Sequence, residues 1–376
     1  DSSAMDIYDL RPLAKAFGDV VFVSVEYRLG LLGFGDFRNV EGGGCCSPGL
    51  LDIACALEWI RDNIEDFGGD PGRVTLFGQS AGAGCISLLP LLPQARGLFR
   101  RMILQSGSPS LVTTPEAAQK TAAAFMDKTG CRSLKDLQRL PGEAFAAFAA
   151  CAPVTESPLL PRSLTEIYQK AASPLYGGID ILAGTNRDEM DYFTLLLGRD
   201  RAEEAQAAAH RRRLALLPEG AKEKAQKLFS PENGLSPYEA CCRFAGAALF
   251  HAPCLALCRA RRAFRTYAYS FEVPSGKPGI GACHAAELSY VFGNFRYGYA
   301  GKNAAPGVSG LMQQLWTSFA ETGVPEAENL LWPPFGNSGC ALVFAPEGAY
   351  ARENAFGKYE ALEELAYIPV HAAGLF

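Results

Sequence analysis

The sequence predicts an α/β fold in which a mainly parallel sheet is covered by helices on both faces and carries helical insertions between its strands. Three observations predict it. Short strand-like runs at 19–25, 73–77, 101–105, 179–183 and 266–273 alternate with helical stretches such as 50–64 and 81–89. A serine between two glycines stands where one of those runs turns into a helix. The chain has 376 residues, more than one compact core usually holds, yet α/β proteins reach such lengths as a single decorated domain.

Taken in order, 19–25 is a valine-rich run after a short polar start, and 50–64 follows it as the first long helix. The run 73–77 leads straight into the helix 81–89, and 101–105 is the next strand. Two intervals, 114–169 and 202–265, are rich in alanine and mixed charge and read as helical insertions, candidates for a lid over a pocket. The strands 179–183 and 266–273 each run into a loop that carries polar residues. Residues 1–376 are therefore expected to form one domain with these two insertions.

Residues 67–82 read Phe-Gly-Gly-Asp-Pro-Gly-Arg-Val-Thr-Leu-Phe-Gly-Gln-Ser-Ala-Gly. They put Ser80 between Gly78 and Gly82, after an apolar strand and before a helix, which is the pattern of a nucleophile elbow. The reversal is tight, so a side chain at 78 or 82 is expected to collide with the neighbouring strand or helix, and Ser80 is expected to be strained. The helix from Ala81 aims its N–H groups and positive dipole end at the place where an oxyanion would form. Ser80 is the candidate nucleophile and Ala81 a candidate oxyanion donor; a bare glycine-serine cluster also makes ordinary loops.

A serine needs a base, and the chain has four histidines. His210 lies in a helical run rich in Ala, Glu and Arg and reads as a solvated surface residue. His251 begins a helical stripe with Cys254 and Cys258, and His371 sits in the tail near Gly374. His284 differs, because it ends the glycine-punctuated loop 279–284 after a strand, and such loops carry the catalytic groups of α/β sheets. It is the candidate general base. The acid that orients it cannot be found by composition among forty acidic residues. Placement favours the loop 184–189 after the strand 179–183, where Glu189 and Asp188 compete.

The stretch 67–82 as a whole resembles the type-B carboxylesterase and cholinesterase family, in which the same segments occur in the same order. Further matches follow in register: Tyr27-Arg28-Leu29-Gly30, Gly49-Leu50-Leu51-Asp52, Gln105-Ser106-Gly107-Ser108, and Trp316 with Phe319 and Gly323-x-Pro325. The resemblance implies an α/β-hydrolase fold and a serine carboxylic-ester hydrolase. It implies Glu189 as the acid of the triad, with Asp188 a solvated neighbour, and the chain order Ser80, Glu189, His284 is that of α/β-hydrolases. Gly281, His284 and Glu287 match the family's Gly-x-x-His-x-x-Glu. Glu287 thereby resembles a carboxylate behind the base, although an exposed Glu at a helix start is an almost equally good reading.

Two departures are visible. Many family members have Glu before the serine, and this chain has Gln79, which keeps the hydrogen bonding but removes a charge near the histidine. Members also carry a His-Gly-Gly-Gly-type loop upstream of the first strand, which supplies oxyanion donors. This chain begins at Asp1, and 1–8 resembles the stretch shortly after that loop. An N-terminally incomplete chain is expected, with the remaining oxyanion donors in the missing upstream segment. Gly42-Gly43-Gly44 follow the strand instead of preceding it and read as a plain flexible loop.

Net charge is −5, which gives no general attraction for nucleic acid or anionic lipid. The basic clusters 211–213 and 259–265 read as solvated faces. No apolar stretch is expected to span a membrane. Twelve cysteines, two pairs of them adjacent, do not resemble a secreted disulfide framework and favour reduced thiols in a cytoplasm, while the absent N-terminus leaves secretion open. His251, Cys254 and Cys258 share a stripe that describes a buried apolar face better than a metal site. No cofactor motif is found, and the expected partner is a small carboxylic ester. Two alternatives share the fold: a non-catalytic adhesion or binding relative, which would lose triad members, and a thioesterase or peptidase.

Overall fold

A computed structural model describes residues 5–44, 46–148, 151–296 and 305–369. Cys45 and the tail residues His371 and Gly374 lie outside the described residues. Among the described residues six strands form one sheet in the order in which they occur along the chain: β1 (Thr75–Gln79), β2 (Arg101–Gln105), β3 (Asp180–Asn186), β4 (Thr266–Phe271), β5 (Ala341–Ala345) and β6 (Gly348–Arg352). The first five are parallel, and β6 returns antiparallel to β5. This is the α/β-hydrolase arrangement that the sequence predicts.

Alternation along the strands divides the core into two layers. Met102, Leu104, Ile181, Ala183 and Ala268 face one cluster, with Leu50 and Leu57 of the helix Pro48–Asn63 and Leu88 of the helix Ala81–Leu88. Ile103, Leu182, Tyr267, Tyr269 and Phe271 face the other, with Met312, Trp316 and Phe319 of the helix Pro306–Thr322. Both faces are thus buried, as a parallel sheet requires.

The register fixes where function can sit. Gln79 pairs with Gln105, Gln105 with Gly184, and Gly184 with Tyr269. The C-terminal ends of β1, β2 and β3 are therefore level, and the loops that leave them open on one edge of the sheet.

Several expectations are corrected. Residues 19–25 form no strand: they enter no ladder with a neighbour, and Val21 and Val23 are 40% and 39% exposed. The hairpin β5–β6 was not expected; its signal is the apolar run 341–345 followed by the Pro346-Glu347 turn and Gly348, which opens β6 with φ 140°. The interval 202–265 is helical, but its last helix, Ala252–Ala260, belongs to the central core and packs on β3 and β4 instead of forming part of a cover.

The helical run Pro237–Ala260 is long and apolar enough to cross a membrane by length and composition, which the sequence reading missed; 83% of its apolar window is buried inside the protein, as in a core helix.

The basic clusters are not simply solvated. Arg261 is fully buried and donates to Ala171 O and Tyr176 O at 3.1 Å and to Ile179 O at 2.6 Å, closing the turn before β3. Arg213 is buried too, and loss of solvation pushes its guanidinium down to about 10. His210 is half-buried, edge-on to Phe244 at 5.0 Å, and burial lowers its pKa. The eleven described cysteines are free.

Candidate active site

Ser80 joins β1 to the helix Ala81–Leu88 with φ 55° and ψ −121°, the strained conformation expected of an elbow. Both neighbours hold it there. Its N–H donates to Gln105 O at 2.8 Å, continuing the sheet, while its carbonyl accepts from Gly84 N–H at 2.9 Å, starting the helix. A Cβ at Gly78 would stand 2.8 Å from Gly82 C and 2.9 Å from Ala83 N, so this glycine is required. Gly82 is not, since its Cβ would meet only Tyr27 Oη at 4.0 Å. The crowded second glycine is Gly107, beyond β2, where a Cβ would lie 2.4 Å from Ser80 O.

Glu189 follows β3 by three residues, and a tight turn folds its side chain back: Asn186 N–H donates to Glu189 Oε1 at 2.8 Å. The loop after β4 meets it through His284 N–H, which donates to Glu189 O at 3.1 Å. His284 Nδ1 then lies 2.6 Å from Glu189 Oε2, with the two side chains 8% and 0% exposed. A carboxylate only accepts, so Nδ1 carries the proton and Nε2 presents its lone pair.

Asp188 is not the solvated neighbour that was expected. It is buried, pairs with Arg243 at 2.8 Å and Arg187 at 2.9 Å, and accepts from Ala282 N–H at 3.0 Å. Its task is to fasten the acid loop to the histidine loop. A Cβ at Gly281 would lie 2.0 Å from Asp188 Oδ2, which explains that glycine.

His284 reaches the elbow, but through the residue before the serine. Its Nε2 lies 3.0 Å from Gln79 Nε2. Ser80 Oγ has no hydrogen-bond partner among the described residues, so the expected contact between base and nucleophile is replaced by one to Gln79. Phe250 and Tyr192 wall the imidazole, with ring centroids at 4.8 and 5.9 Å. Phe250 stands in a π-helical turn, Ala247–His251, just before Pro253. The wide turn accommodates a proline that has no N–H to give and would crowd an α-helical carbonyl. The same turn aims His251 at Thr185 Oγ1, 2.8 Å away, and stacks it on Tyr359, so this histidine is occupied within the core; burial drops its pKa to about 3.

Glu287 is fully buried, which removes the exposed alternative. Asn186 Nδ2 donates to its Oε2 at 2.5 Å, and Gln105 Nε2 to its Oε1 at 3.2 Å. Gln105 Oε1 accepts from Trp316 Nε1 at 3.2 Å. Burial, and secondarily the Glu189 charge, push Glu287 up to about 7. Asn186, Gln105 and Trp316 had no role assigned from sequence, although Gln105 and Trp316 stand in motifs that signalled the resemblance and Asn186 lies in the loop 184–189 that offered the acid. In the Gly42–Gly44 loop, Gly43 N–H donates to Val40 O at 2.7 Å, and Glu41 just before it bridges to Ser133. Among the described residues no group of three or more His, Cys, Asp or Glu could hold a metal ion.

Comparison with known proteins places the chain in a family. Residues 1–347 match the model of the carboxylesterase family. The para-nitrobenzyl esterase of Bacillus subtilis is 34% identical over 349 residues, covering 88% of this chain and 69% of that protein. Human carboxylesterase 3 is 30% identical over 388 residues, covering 92% and 66%. Among solved structures, a carboxylesterase of Geobacillus stearothermophilus superposes with a TM-score of 0.81 at 30% identity, covering 98% of this chain and 79% of that one.

Proposed function

The chain belongs to the carboxylesterase family and is a carboxylesterase, and on that premise we propose that it hydrolyses small carboxylic esters through an acyl-enzyme on Ser80, with His284 as general base and Glu189 as the acid that orients it. The observation that carries this reading is the buried 2.6 Å contact of His284 Nδ1 with Glu189, on loops leaving the same sheet edge as the elbow.

Ser80 Oγ attacks the ester carbonyl as its proton passes to His284 Nε2. Glu189 stays ionised and stabilises the imidazolium. Ala81 N–H, the first amide of the elbow helix, is one donor to the carbonyl oxygen as it becomes negative. His284 then protonates the leaving alcohol, and water repeats the sequence on the acyl-enzyme, releasing the acid.

The reading is tested with p-nitrophenyl acetate and butyrate, and by mass spectrometry after treatment with a fluorophosphonate. Ser80→Ala, His284→Gln and Glu189→Gln are each expected to lose turnover, the first two by several orders of magnitude, and the label is expected on Ser80. Undiminished turnover in Ser80→Ala would assign the chemistry to another nucleophile.

A further inference from the structure

We propose that Gln79 is a positioning residue that holds the base in a capped resting state: its amide occupies the Nε2 lone pair of His284, and it must rotate away before Ser80 can hand over its proton. The inference rests on the assignment of Ser80 and His284 above.

The direction of the contact follows from the other side of the ring. At 2.6 Å from a buried carboxylate, Nδ1 must carry the proton, since two acceptors so close would repel. Nε2 is then an acceptor, and the amide nitrogen of Gln79 at 3.0 Å is a donor to it. Turning the amide over would set the Gln79 carbonyl oxygen against the same lone pair, so the observed orientation is the bonded one.

The backbone cannot make this adjustment. Gln79 is the last residue of β1, in register with Gln105, and the next N–H is bonded to Gln105 O. Only the side chain is left to turn, and the residue is half-buried. In the attack step the Ser80 O–H bond breaks, its proton forms a bond to Nε2, and the oxygen's electron pair goes to the carbonyl carbon. That proton needs the lone pair which Gln79 holds. Once Nε2–H exists, the Gln79 N–H groups face a donor and the contact is repulsive; after rotation the amide oxygen can accept from Nε2–H instead. A glutamate in this place could not cap a neutral base, because a carboxylate has no hydrogen to donate.

The test uses Gln79→Met, which keeps the length and removes the donor, with Gln79→Glu as a second variant, both at about pH 8, where an ordinary carboxyl is ionised. Two quantities are measured on the whole chain: the 15N resonances of His284 in protein labelled at histidine, and the second-order rate of Ser80 phosphorylation by diisopropyl fluorophosphate. In Gln79→Met Nε2 is expected to shift toward the position of a free lone pair while Nδ1 stays in place, and in Gln79→Glu Nε2 is expected to leave the capped position, drawn by the carboxylate toward that of a protonated ring. In Gln79→Met the rate is expected to rise about two- to tenfold, the weight of one hydrogen bond that no longer has to be broken.

An Nε2 resonance that does not move in either variant, or a Gln79→Met rate equal to or below that of the parent, overturns the proposal. Failure of the underlying assignment looks different: Ser80→Ala or His284→Gln would still react at the parental rate, whatever the variants at 79 do.

Discussion

Asn186 ties two buried carboxylates together, its amide donating to Glu287 Oε2 at 2.5 Å and its backbone N–H to Glu189 Oε1 at 2.8 Å. The same amide also donates to Cys283 O at 2.7 Å, next to the base. Two like charges under one histidine are tolerable only while each has such donors, or while one of them is protonated.

Replacing Asn186 with Leu removes the donor to Glu287 and to the histidine loop without emptying the space. The variant is expected to lose about 2–4 kcal/mol of stability, the cost of leaving buried acceptors unpaired. Turnover of p-nitrophenyl acetate is expected to fall at least tenfold as His284 drifts. Urea unfolding and steady-state kinetics measure the two effects; a variant equal to the parent in both would mean that the network is not holding the site.

Glu287 makes stability depend on pH. Its carboxyl sits at about 7 in the folded protein against 4.5 in the unfolded chain, so the folded state binds the proton more tightly. This contribution is fully present below about pH 4.5, and it is lost as pH rises through about 7. The shift corresponds to about 3 kcal/mol at most. Glu287→Gln, which keeps the hydrogen-bonding shape without the charge, is expected to flatten that fall between pH 5 and about 8 in urea unfolding. A slope equal to that of the parent would place the titration elsewhere.

The sequence carried the site further than it carried the sheet. The turn at Ser80 and the loops that bring His284 against Glu189 stand in recognisable motifs, so these placements could be read along the chain. The 19–25 run shows the opposite case: valines favour a strand, but a strand exists only when something pairs with it, and pairing is not written in the run itself. Asp188 and Glu189 are adjacent and chemically alike, and only the fold decides that one faces Arg243 and the other His284. Arg261 and Arg213 looked like solvated charge because the carbonyls that bind the first, and the helices that cover the second, come from distant sequence. The Gln79 contact could not be read either, since it depends on a side-chain torsion.

The elbow stores strain that can be measured. Ser80→Ala keeps the positive φ and is expected to unfold within about 0.5 kcal/mol of the parent while losing activity. Ser80→Gly relieves the backbone conformation and is expected to be more stable than Ser80→Ala by about 1 kcal/mol. Thermal unfolding of the two inactive variants side by side gives the answer; equal midpoints would mean that the conformation costs nothing.

The two glycines that bracket Ser80 differ in what they are for. At Gly78 an added Cβ would press into the backbone of Gly82 and Ala83 at 2.8 and 2.9 Å, and backbone cannot turn aside as a side chain can. Gly78→Ala must push the helix away from β1, and it is expected to lose about 1–3 kcal/mol of stability and most of its turnover. At Gly82 the nearest atom to a new Cβ is the Tyr27 hydroxyl at 4.0 Å, an ordinary contact, and Ala is the better helix former in the helix it occupies. Gly82→Ala is therefore expected to fold at least as stably as the parent. Any loss of activity in it would come from crowding of substrate beside the elbow and would appear in KM and in the preference between acetate and butyrate esters, not in the unfolding midpoint. Equal destabilisation of the two variants would show that the elbow needs both glycines for its backbone, and that the space beside Gly82 closes when the protein is in solution.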